Sequence, residues 1–264
     1  MEVTNLQINK QVSNEVIIIT GGAGGIGRST AHEFLKKKGT LVVLLDNNRI
    51  ALQKIEDEFH QKYPRKLFTI SLDVTKEDEV VTAINFIYER FGKIDSFIAL
   101  AGISPKKDGK KFPFEEIKEP EWDMVMNVNV KSSFLFLKHL APYMKLKKKG
   151  SIVLVSSLAG RTNSPTAGLH YITSKSAILG MTKGLAQELA PYGIRVNCIS
   201  PGKVKTSMIE GTVAKLNNSY VDSIPLKRFA EPQEITNAIV FLASKESSYI
   251  VGANIDVNGG RVMF

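Results

Sequence analysis

The stretch "EVIIITGGAGGIGRSTAHEFLKKKGTLVVLLD", residues 15–46, contains the pattern that decides the fold. Two short runs of β-branched and other apolar residues, "EVIIIT" and "TLVVLL", lie on either side of a longer amphipathic stretch, "TAHEFLKKK". Short apolar runs are typical of buried strands, whereas longer runs with helical periodicity are typical of helices. The stretch therefore predicts a strand, a helix and a second, parallel strand.

The same alternation continues to the end of the chain. Further predicted strands are "KLFTISL", "IDSFIAL", "SIVLVS", "RVNCIS" and "ANIDVN". Predicted helices cover residues 48–62, 77–91, 121–147, 171–190 and 232–243, with a less regular helical segment at 205–219. Parallel strands need crossover connections and are covered on both faces. We therefore expect an α/β protein with a three-layer Rossmann fold, in which helices lie on both faces of a seven-stranded parallel sheet.

Composition and chain organisation narrow the class of protein. No linker or repeat divides the 264 residues, so we expect one domain over residues 1–264 with a polar N-terminal tail at 1–13. No apolar run approaches the ~18 residues that span a bilayer, and the N-terminus lacks the apolar core of a secretory signal. The single cysteine, Cys198, excludes an intrachain disulfide and suits a reducing compartment. These features predict a cytoplasmic protein without a membrane segment.

The net charge of +9 raises the question of a nucleic-acid-binding surface. Two lysine clusters, within 36–38 and 145–149, directly precede Gly39 and Gly150. Cations followed by glycine are typical of helix C-termini, where they meet the negative end of the helix dipole. Solvated helix ends therefore explain most of this charge, and we expect no nucleic-acid partner. A third cluster lies in a predicted loop and comprises Lys106, Lys107, Lys110 and Lys111.

Glycines follow the first predicted strand directly. Gly21, Gly25 and Gly27 have the spacing G-x-x-x-G-x-G, and a predicted helix begins immediately behind them. Glycine lets the backbone turn tightly and approach a pyrophosphate, which the positive N-terminus of the helix then stabilises. Between a strand and a helix, this loop predicts a dinucleotide site.

Acidic residues follow the next two strands. Asp46 ends the second strand, where a carboxylate can accept hydrogen bonds from the adenosine ribose and repel a 2′-phosphate. Because no basic residue occupies the position of Gly24, the sequence favours NAD over NADP, although Arg28 and Arg49 keep NADP open. Asp73, in "SLDVT", is predicted to cap the next helix or to meet the adenine amino group, and capping is favoured.

Tyr171 and Lys175 stand four residues apart in "HYITSK", on one face of a predicted helix. A nearby ammonium favours the phenolate, so such a pair can exchange a proton with an alcohol. The spacing alone is not specific, because "YMKLK" at residues 143–147 shares it. Tyr171 differs because the preceding strand ends in Ser156 and Ser157, at the edge where parallel sheets bind ligands. The pattern therefore favours Tyr171 as the proton-transfer residue.

Seven motifs occur in order along the chain: "TGGAGGIG", "LDVT", "WDMVMNVNV", "SIVLVSS", "HYITSKSA", "RVNCISPGKVKT" and "GANIDVNGG". Together they resemble the short-chain dehydrogenase/reductase family over nearly the whole chain, including its 3-oxoacyl-acyl-carrier-protein reductase-like members. The resemblance implies a catalytic tetrad of Asn129, Ser157, Tyr171 and Lys175. It also implies hydride transfer between a carbinol carbon and the nicotinamide, with Tyr171 as general acid in reduction and general base in oxidation.

The resemblance implies cofactor contacts as well. In the family the lysine binds the nicotinamide ribose, the asparagine backbone holds a water of the proton relay, and the segment matching "SPGKVKT" contacts the carboxamide. The family's Asn-Asn-Ala-Gly reads "ALAG" here, so only backbone contacts to the adenosine ribose are expected from residues 99–102. No metal is expected. The predicted cofactor-binding residues are Gly21, Gly25, Ile26, Gly27, Asp46, Asp73, Val74, Ala101, Gly102, Tyr171, Lys175, Pro201, Gly202, Val204 and Thr206.

The substrate side is less defined. Residues 203–228 lack a clean apolar period and resemble the substrate lid of the family. The loop lysines at 106–111, with Arg161, Lys203 and Lys205, are candidates to attract an anionic substrate or an acyl group on an acidic carrier. Solvated charge is the favoured interpretation of these residues.

The favoured function is an NAD-dependent alcohol, sugar or hydroxy-acid dehydrogenase, because Asp46 and Gly24 argue against NADP. A 3-oxoacyl thioester reductase is the alternative, and the resemblance associates those enzymes with NADPH. A cofactor-binding regulator without catalysis would be expected to have a broken tetrad, and all four positions are filled here. By resemblance we expect a homotetramer or homodimer.

Overall fold

A seven-stranded parallel sheet forms the centre of the computed structural model, which describes residues 15–206 and 218–263. The strands are β1 Glu15–Thr20, β2 Thr40–Asp46, β3 Leu67–Ser71, β4 Ser96–Ala99, β5 Gly150–Val155, β6 Ile194–Pro201 and β7 Asn254–Val257. The helices are α1 Gly25–Lys36, α2 Arg49–Lys62, α3 Glu77–Phe91, α4 Glu119–Met126, α5 Ser132–Lys147, α6 Leu169–Leu189, α7 Asn218–Asp222 and α8 Pro232–Ala243. The predicted fold class is confirmed.

Both faces of the sheet are covered, which explains the continuous apolar runs in the strands. Successive side chains of a strand point to opposite faces, so Val16 and Ile18 of β1 belong to one apolar cluster and Ile17 and Ile19 to the other. Helices α3, α5 and α6 contribute to the first cluster, whereas α1, α2 and α8 contribute to the second. The result is the predicted arrangement of three layers.

The strand order is β3-β2-β1-β4-β5-β6-β7, so the direction of winding reverses between β1 and β4. At such a switch point the loops after the two strands diverge and leave a crevice at the carboxyl edge of the sheet. Gly21 lies there with φ +67°, and an added Cβ would come within 2.7 Å of the amide nitrogen of Ala101. A side chain at this position has no room, which explains why the loop begins with glycine.

The predicted helix at 121–147 is interrupted. Residues Asn127–Lys131 form one π-helical turn, in which the amide of Ser132 donates to the carbonyl of Asn127, five residues earlier. The extra residue in this turn separates α4 from α5. The single helix predicted from the sequence is therefore two α-helices, α4 and α5, joined by this turn.

Parts of the sequence prediction lie outside the described residues. They are the predicted tail at 1–13 and residues 207–217, which belong to both the irregular segment 205–219 and the predicted lid 203–228. Within the described ranges, no helix combines the length and the apolar character that crossing a bilayer requires.

Replacing Gly27 by alanine should destabilise the protein, because an added Cβ would lie 2.3 Å from the carbonyl oxygen of Gly21. The first turn would have to move, at a cost of about 2 kcal/mol in the free energy of unfolding. Gly184→Ala is the matched control, since nothing lies within 4 Å of a Cβ added to this exposed glycine of α6. Urea unfolding of both variants measures the difference, and an equal stability of the two would contradict the steric argument.

Candidate active site

A cavity of about 270 Å³ opens at the carboxyl edge of the sheet. Its walls come from the glycine loop after β1, the segments after β4, β5 and β6, the start of α6 and the C-terminal segment. Twelve residues predicted from the sequence line it: Gly21, Gly25, Ile26, Gly27, Gly102, Ser157, Tyr171, Lys175, Pro201, Gly202, Val204 and Thr206. Sequence positions that span 186 residues therefore meet in one place.

Five predicted site residues do not line this cavity. Asp46 ends β2, Val74 is buried in the core, and Ala101 donates a weak amide hydrogen bond to the hydroxyl of Thr20. The two others, Asp73 and Asn129, use their side chains to hold nearby backbone, as described below.

Tyr171 and Ser157 form the polar centre of the cavity. Burial raises the pKa of Tyr171 above its usual value, and a hydrogen bond with Ser157 offsets part of this effect. The Ser157 hydroxyl also accepts a hydrogen bond from the amide of Ala159 at 3.1 Å, which orients it at the start of a short 3₁₀ turn. The neighbouring Ser156 has a different role, since its hydroxyl donates to the carbonyl of Lys175 at 2.6 Å.

Lys175 lies beneath Tyr171 and is almost fully buried. Its ammonium donates to the carbonyl of Val155 at 2.9 Å and lies 5.8 Å from the centroid of the Tyr171 ring. Burial lowers the pKa of Lys175 to about 8. The expectation that Lys175 shifts Tyr171 towards the phenolate is therefore not met in this structure, because desolvation has the larger effect on the phenol.

Asn129 connects the loop after β4 to helix α6. Its side-chain oxygen accepts from the amide of Ile103 at 2.8 Å, and its nitrogen donates to the carbonyl of the same residue and to the hydroxyl of Ser174. Ser174 in turn donates to the carbonyl of Tyr171. A Cβ added to Gly102 would lie 3.4 Å from both Asn129 Oδ1 and Lys175 Nζ, so two of the four predicted tetrad residues converge on this glycine.

The second Tyr–Lys pair is placed quite differently. The hydroxyl of Tyr143 donates to Asn85 at 2.9 Å, and its ring stacks on Tyr88 with centroids 3.9 Å apart. These contacts join α5 to α3 on the outside of the sheet, and neither Tyr143 nor Lys147 lines the cavity. The spacing of four is common to both pairs, but only the pair at 171 and 175 meets the cavity.

A buried histidine directly precedes Tyr171. The amide of Tyr171 donates to His170 Nδ1 at 2.8 Å, so the proton of the neutral ring lies on Nε2, which donates to Glu121 Oε1 at 2.8 Å. The histidine thus satisfies an amide in the first turn of α6 and ties that turn to α4. A Cβ at Gly168 would lie 2.5 Å from the imidazole, so Gly168 leaves the space that His170 needs. No role for His170 was predicted from the sequence.

The glycine loop fits the pyrophosphate of a dinucleotide. Cβ atoms at Gly21, Gly25 and Gly27 would meet Ala101, Thr206 and the Gly21 carbonyl at 2.7, 3.1 and 2.3 Å. The absence of side chains lets the backbone at the N-terminus of α1 face the cavity, where a phosphate interacts with free amides and the helix dipole. Thr206, predicted to contact the carboxamide, lies against Gly25 on the opposite wall.

Asp46 is held at the adenosine end of this loop. Its carboxylate accepts from the amide of Ala23 at 3.0 Å and from the amide of Asn48 at 2.9 Å. The side chain thereby joins the end of β2 to the glycine loop. Arg28, which the sequence left as a candidate for binding a 2′-phosphate, instead forms an ion pair with Glu58 on α2 at 2.6 Å.

The prediction that Asp73 caps the next helix is wrong. Helix α3 begins at Glu77 and its N-cap residue is Lys76, which makes no side-chain cap. The carboxylate of Asp73 instead accepts from the amide and the hydroxyl of Thr75, at 2.9 and 2.7 Å, and closes a turn before the helix. Such local turns compete with capping for the same aspartate oxygens.

Several cavity residues were missed or only partly recognised from the sequence. Arg261 and Tyr220 line the cavity, although both lie far along the sequence from Tyr171 and the other predicted catalytic residues. Lys106 and Lys203, which were predicted as part of a larger cationic group, also line it. Arg261 directly follows "GANIDVNGG", and a cation next to a family motif is the one signal that could have identified it. Among the described residues there is no cluster of ligands suited to a metal ion.

Known proteins are similar to this chain in sequence over nearly its whole length. The sequence model of the family described as "Enoyl-(Acyl carrier protein) reductase" matches residues 21–261. A 3-oxoacyl-[acyl-carrier-protein] reductase of Thermotoga maritima is 36% identical over 253 residues, which cover 96% of this chain and 100% of the relative.

Solved structures are similar over the same extent. A 3-oxoacyl-[acyl-carrier protein] reductase with bound NAD from Brucella melitensis has a TM-score of 0.87 and 34% identity, covering 100% of this chain and 99% of that one. The structure "ElxO with NADP Bound" has a TM-score of 0.85 and 29% identity, covering 94% of this chain and 98% of that one.

The His170–Glu121 hydrogen bond should position Tyr171, so we expect His170→Ala to lower kcat about 10- to 100-fold with little change in the KM for the nicotinamide cofactor. Glu121→Gln, which keeps an acceptor for the ring, should retain more activity than Glu121→Ala. His139→Ala is the matched control, because it removes a histidine–glutamate pair between α5 and α3. Steady-state kinetics of the four variants test this, and equal kcat values for His170→Ala and His139→Ala would contradict it.

Proposed function

From the premise that the chain belongs to the short-chain dehydrogenase/reductase family and is an oxidoreductase of CH–OH and ketone groups, we propose an NAD(H)-dependent enzyme that uses Tyr171 for proton transfer. The observation that carries this proposal is the meeting of Tyr171, Ser157 and Lys175 in one cavity with the glycine loop. When bound, the nicotinamide supplies or accepts the hydride.

The residues of this chain have separate roles in the proposed reaction. Burial keeps Tyr171 protonated at neutral pH, so in reduction its hydroxyl can donate a proton to the ketone oxygen. Ser157, already hydrogen-bonded to the phenol, holds the same oxygen and stabilises the charge that develops on it. In oxidation the alcohol proton returns to Tyr171. The ammonium of Lys175 lies close enough to stabilise the phenolate left after proton donation, and its hydrogen bond to Val155 keeps it there.

Asn129 acts on the site through the backbone rather than by touching the reacting atoms with its side chain. Its amide is fully engaged with Ile103 and Ser174, and this holds the β4 loop against the first turn of α6. The π-helical turn around it is the feature that brings the side chain inward while α5 continues along the sheet. We propose that the main chain of Asn129 holds a water molecule of the proton relay, as the family resemblance implies.

The preference for NAD(H) rests on Asp46 and Arg28. Solved neighbours carry either NAD or NADP, so similarity alone does not decide the cofactor. The Asp46 carboxylate is anchored by two amides at the end of β2, where it would repel a 2′-phosphate. The nearby cation that would offset this repulsion, Arg28, is paired with Glu58.

A second candidate is reduction of a 3-oxoacyl thioester on a carrier. Its support is the 36% identity to the Thermotoga maritima reductase over nearly the full length of both chains. The reaction at Tyr171 would be the same, since a 3-oxoacyl group presents a ketone. The two candidates differ in the substrate beyond that ketone and in the cofactor.

We also propose a cytoplasmic homotetramer or homodimer. The family resemblance supports the oligomer, and the exposed apolar side chains of Met124 and Phe134, on α4 and α5, are suited to an interface. The only cysteine, Cys198, is fully buried, and burial raises its pKa to about 11, which agrees with a thiol that plays no part in disulfide chemistry.

Tyr171→Phe should lower kcat at least about 100-fold while leaving the Kd for NADH nearly unchanged, because it removes the transferable proton and little else. Tyr143→Phe serves as the matched control, since it removes a hydroxyl bonded to Asn85 outside the cavity. Ketone reduction followed by NADH absorbance, with NADH binding followed by fluorescence, separates the two effects. Similar losses of kcat in both variants would refute the role of Tyr171.

Asp46→Asn should raise the ratio of kcat/KM with NADPH to kcat/KM with NADH by about tenfold, because it removes the charge that repels a 2′-phosphate. Asparagine keeps an acceptor for the loop amide, so folding should survive. Asp57→Asn, an exposed change on α2, is the control. A panel of secondary alcohols and ketones assayed with both cofactors gives the ratios, and a wild-type preference for NADPH would overturn the cofactor assignment.

A further inference from the structure

The cations that the sequence predicted near the substrate fall into three kinds in the structure: some form ion pairs, some are exposed and some line the cavity. Lys107 forms an ion pair with Glu116, Arg161 with Asp256 and Lys205 with Glu231. Lys110 and Lys111 are exposed, and neither lines the cavity. Of the candidate cations, only Lys106 and Lys203 line the cavity, and Arg261 joins them from the C-terminal segment.

Tyr220 brings two of these cations together. Lys203 Nζ lies 5.9 Å from the centroid of its ring, and the guanidinium carbon of Arg261 lies 5.2 Å from the same centroid. The segment that carries Arg261 is folded against the base of the predicted lid, since the amide of Leu226 donates to the carbonyl of Gly259. A positively charged wall of the cavity is therefore built from the segment after β6, α7 and the C-terminal segment.

The third cation comes from the opposite side. Lys106 lies in the loop after β4, and its ammonium donates to the carbonyl of Thr166, in the segment that runs from Ser157 towards Tyr171. Thr166 also lines the cavity. The lysine is thereby held at the cavity that contains the proton-transfer residues.

These three cations lack a counter-charge among the residues that the structure describes. No carboxylate within residues 15–206 and 218–263 forms an ion pair with any of them. The Nε atom of Arg261 is buried without a hydrogen-bond partner. Burial and the repulsion of Lys106 lower the pKa of Lys203 to about 8, and burial and Lys111 lower the pKa of Lys106. Partly buried cations without a carboxylate partner are costly, and in a cleft they indicate a binding site for an anion.

We infer that the substrate carries an anionic group, a carboxylate or a phosphate, which binds between Arg261, Lys203 and Lys106 while its ketone meets Tyr171 and Ser157. This inference rests on the proposed ketone–alcohol reaction and narrows its substrates to small oxo acids or oxo phosphates and the corresponding hydroxy compounds. An arginine fork binds both anions in a bidentate manner, and the two lysines add charge without demanding a fixed geometry. The acyl chain of a simple 3-oxoacyl thioester carries no negative charge for these cations to bind, so the cations favour a free acid or a phosphate.

The test uses the purified full-length protein with NADH and three kinds of ketone. The first kind is a series of 2-, 3- and 4-oxo acids, the second is the methyl ester of each acid, and the third is dihydroxyacetone phosphate with dihydroxyacetone as its neutral partner. We expect at least one acid or phosphate to have a kcat/KM about 10- to 100-fold above that of its neutral partner, mainly through KM. The anionic substrates with the larger advantage over their neutral partners, either the oxo acids or dihydroxyacetone phosphate, show whether the site prefers a carboxylate or a phosphate.

Arg261→Gln and Lys203→Met should remove this advantage by raising the KM for the anionic substrate about 10- to 100-fold, a larger rise than in the KM for NADH or for the neutral partner. Lys107→Met is the matched control, because its ammonium is paired with Glu116 outside the cavity. Butanoate, a carboxylate without a ketone, should raise the unfolding temperature of the wild type with NADH but not that of Arg261→Gln, which gives a readout independent of turnover.

Neutral ketones that react as well as their acids, in the wild type and both variants, would overturn the inference while leaving the ketone–alcohol function intact. A rise in the KM for NADH in place of the KM for the acid would also overturn it, because the cations would then serve the cofactor. Failure of every ketone, charged or neutral, with both NADH and NADPH would refute the proposed function itself.

Discussion

The close packing of Gly21 against the backbone after β4 is the constraint around which the site is arranged. At this point the winding of the sheet reverses, so the connections leaving β1 and β4 run to opposite faces and open a crevice between them. The backbone of Leu100 and Ala101 approaches so closely that only a residue without Cβ fits at position 21. The crevice then receives the amino end of α1 on one side and the segments after β5 and β6 on the other.

Burial, more than pairwise charge, determines the electrostatics of the centre. Tyr171 and Lys175 are both removed from water, and burial raises the pKa of the phenol while it lowers the pKa of the ammonium. Both shifts favour the neutral form of each residue. Hydrogen bonds to Ser157 and Val155 hold the two groups in place, with the Lys175 ammonium 5.8 Å from the centroid of the Tyr171 ring. The geometry therefore matters more than the i, i+4 spacing, which Tyr143 and Lys147 share without reaching the cavity.

Two sets of polar contacts hold the elements around the active site in place. Asn129, through Ser174, and His170, through Glu121, connect the first turn of α6 to α4, the π-helical turn and the loop after β4. On the far side, Arg195 donates to the carbonyls of Leu242 and Ser244 at the end of α8 and thereby secures β6 to that helix. The cations that line the cavity, Lys106, Lys203 and Arg261, come from three separate segments, which explains why the cluster in sequence from Lys106 to Lys111 was a poor guide to them.

The amino-acid sequence by itself determined the sheet, the order of its elements along the chain and twelve of the residues that line the cavity, because hydrophobic period, glycine spacing and strand ends are local properties of a chain. It also pointed to Ser157, Tyr171 and Lys175 as a group. Only the tertiary structure decided which lysines are paired and which face the cavity, that Asp73 closes a turn, and that Arg261 and Tyr220 meet Lys203. Those outcomes depend on long-range contacts and on burial, and neither is written in the spacing of neighbouring residues.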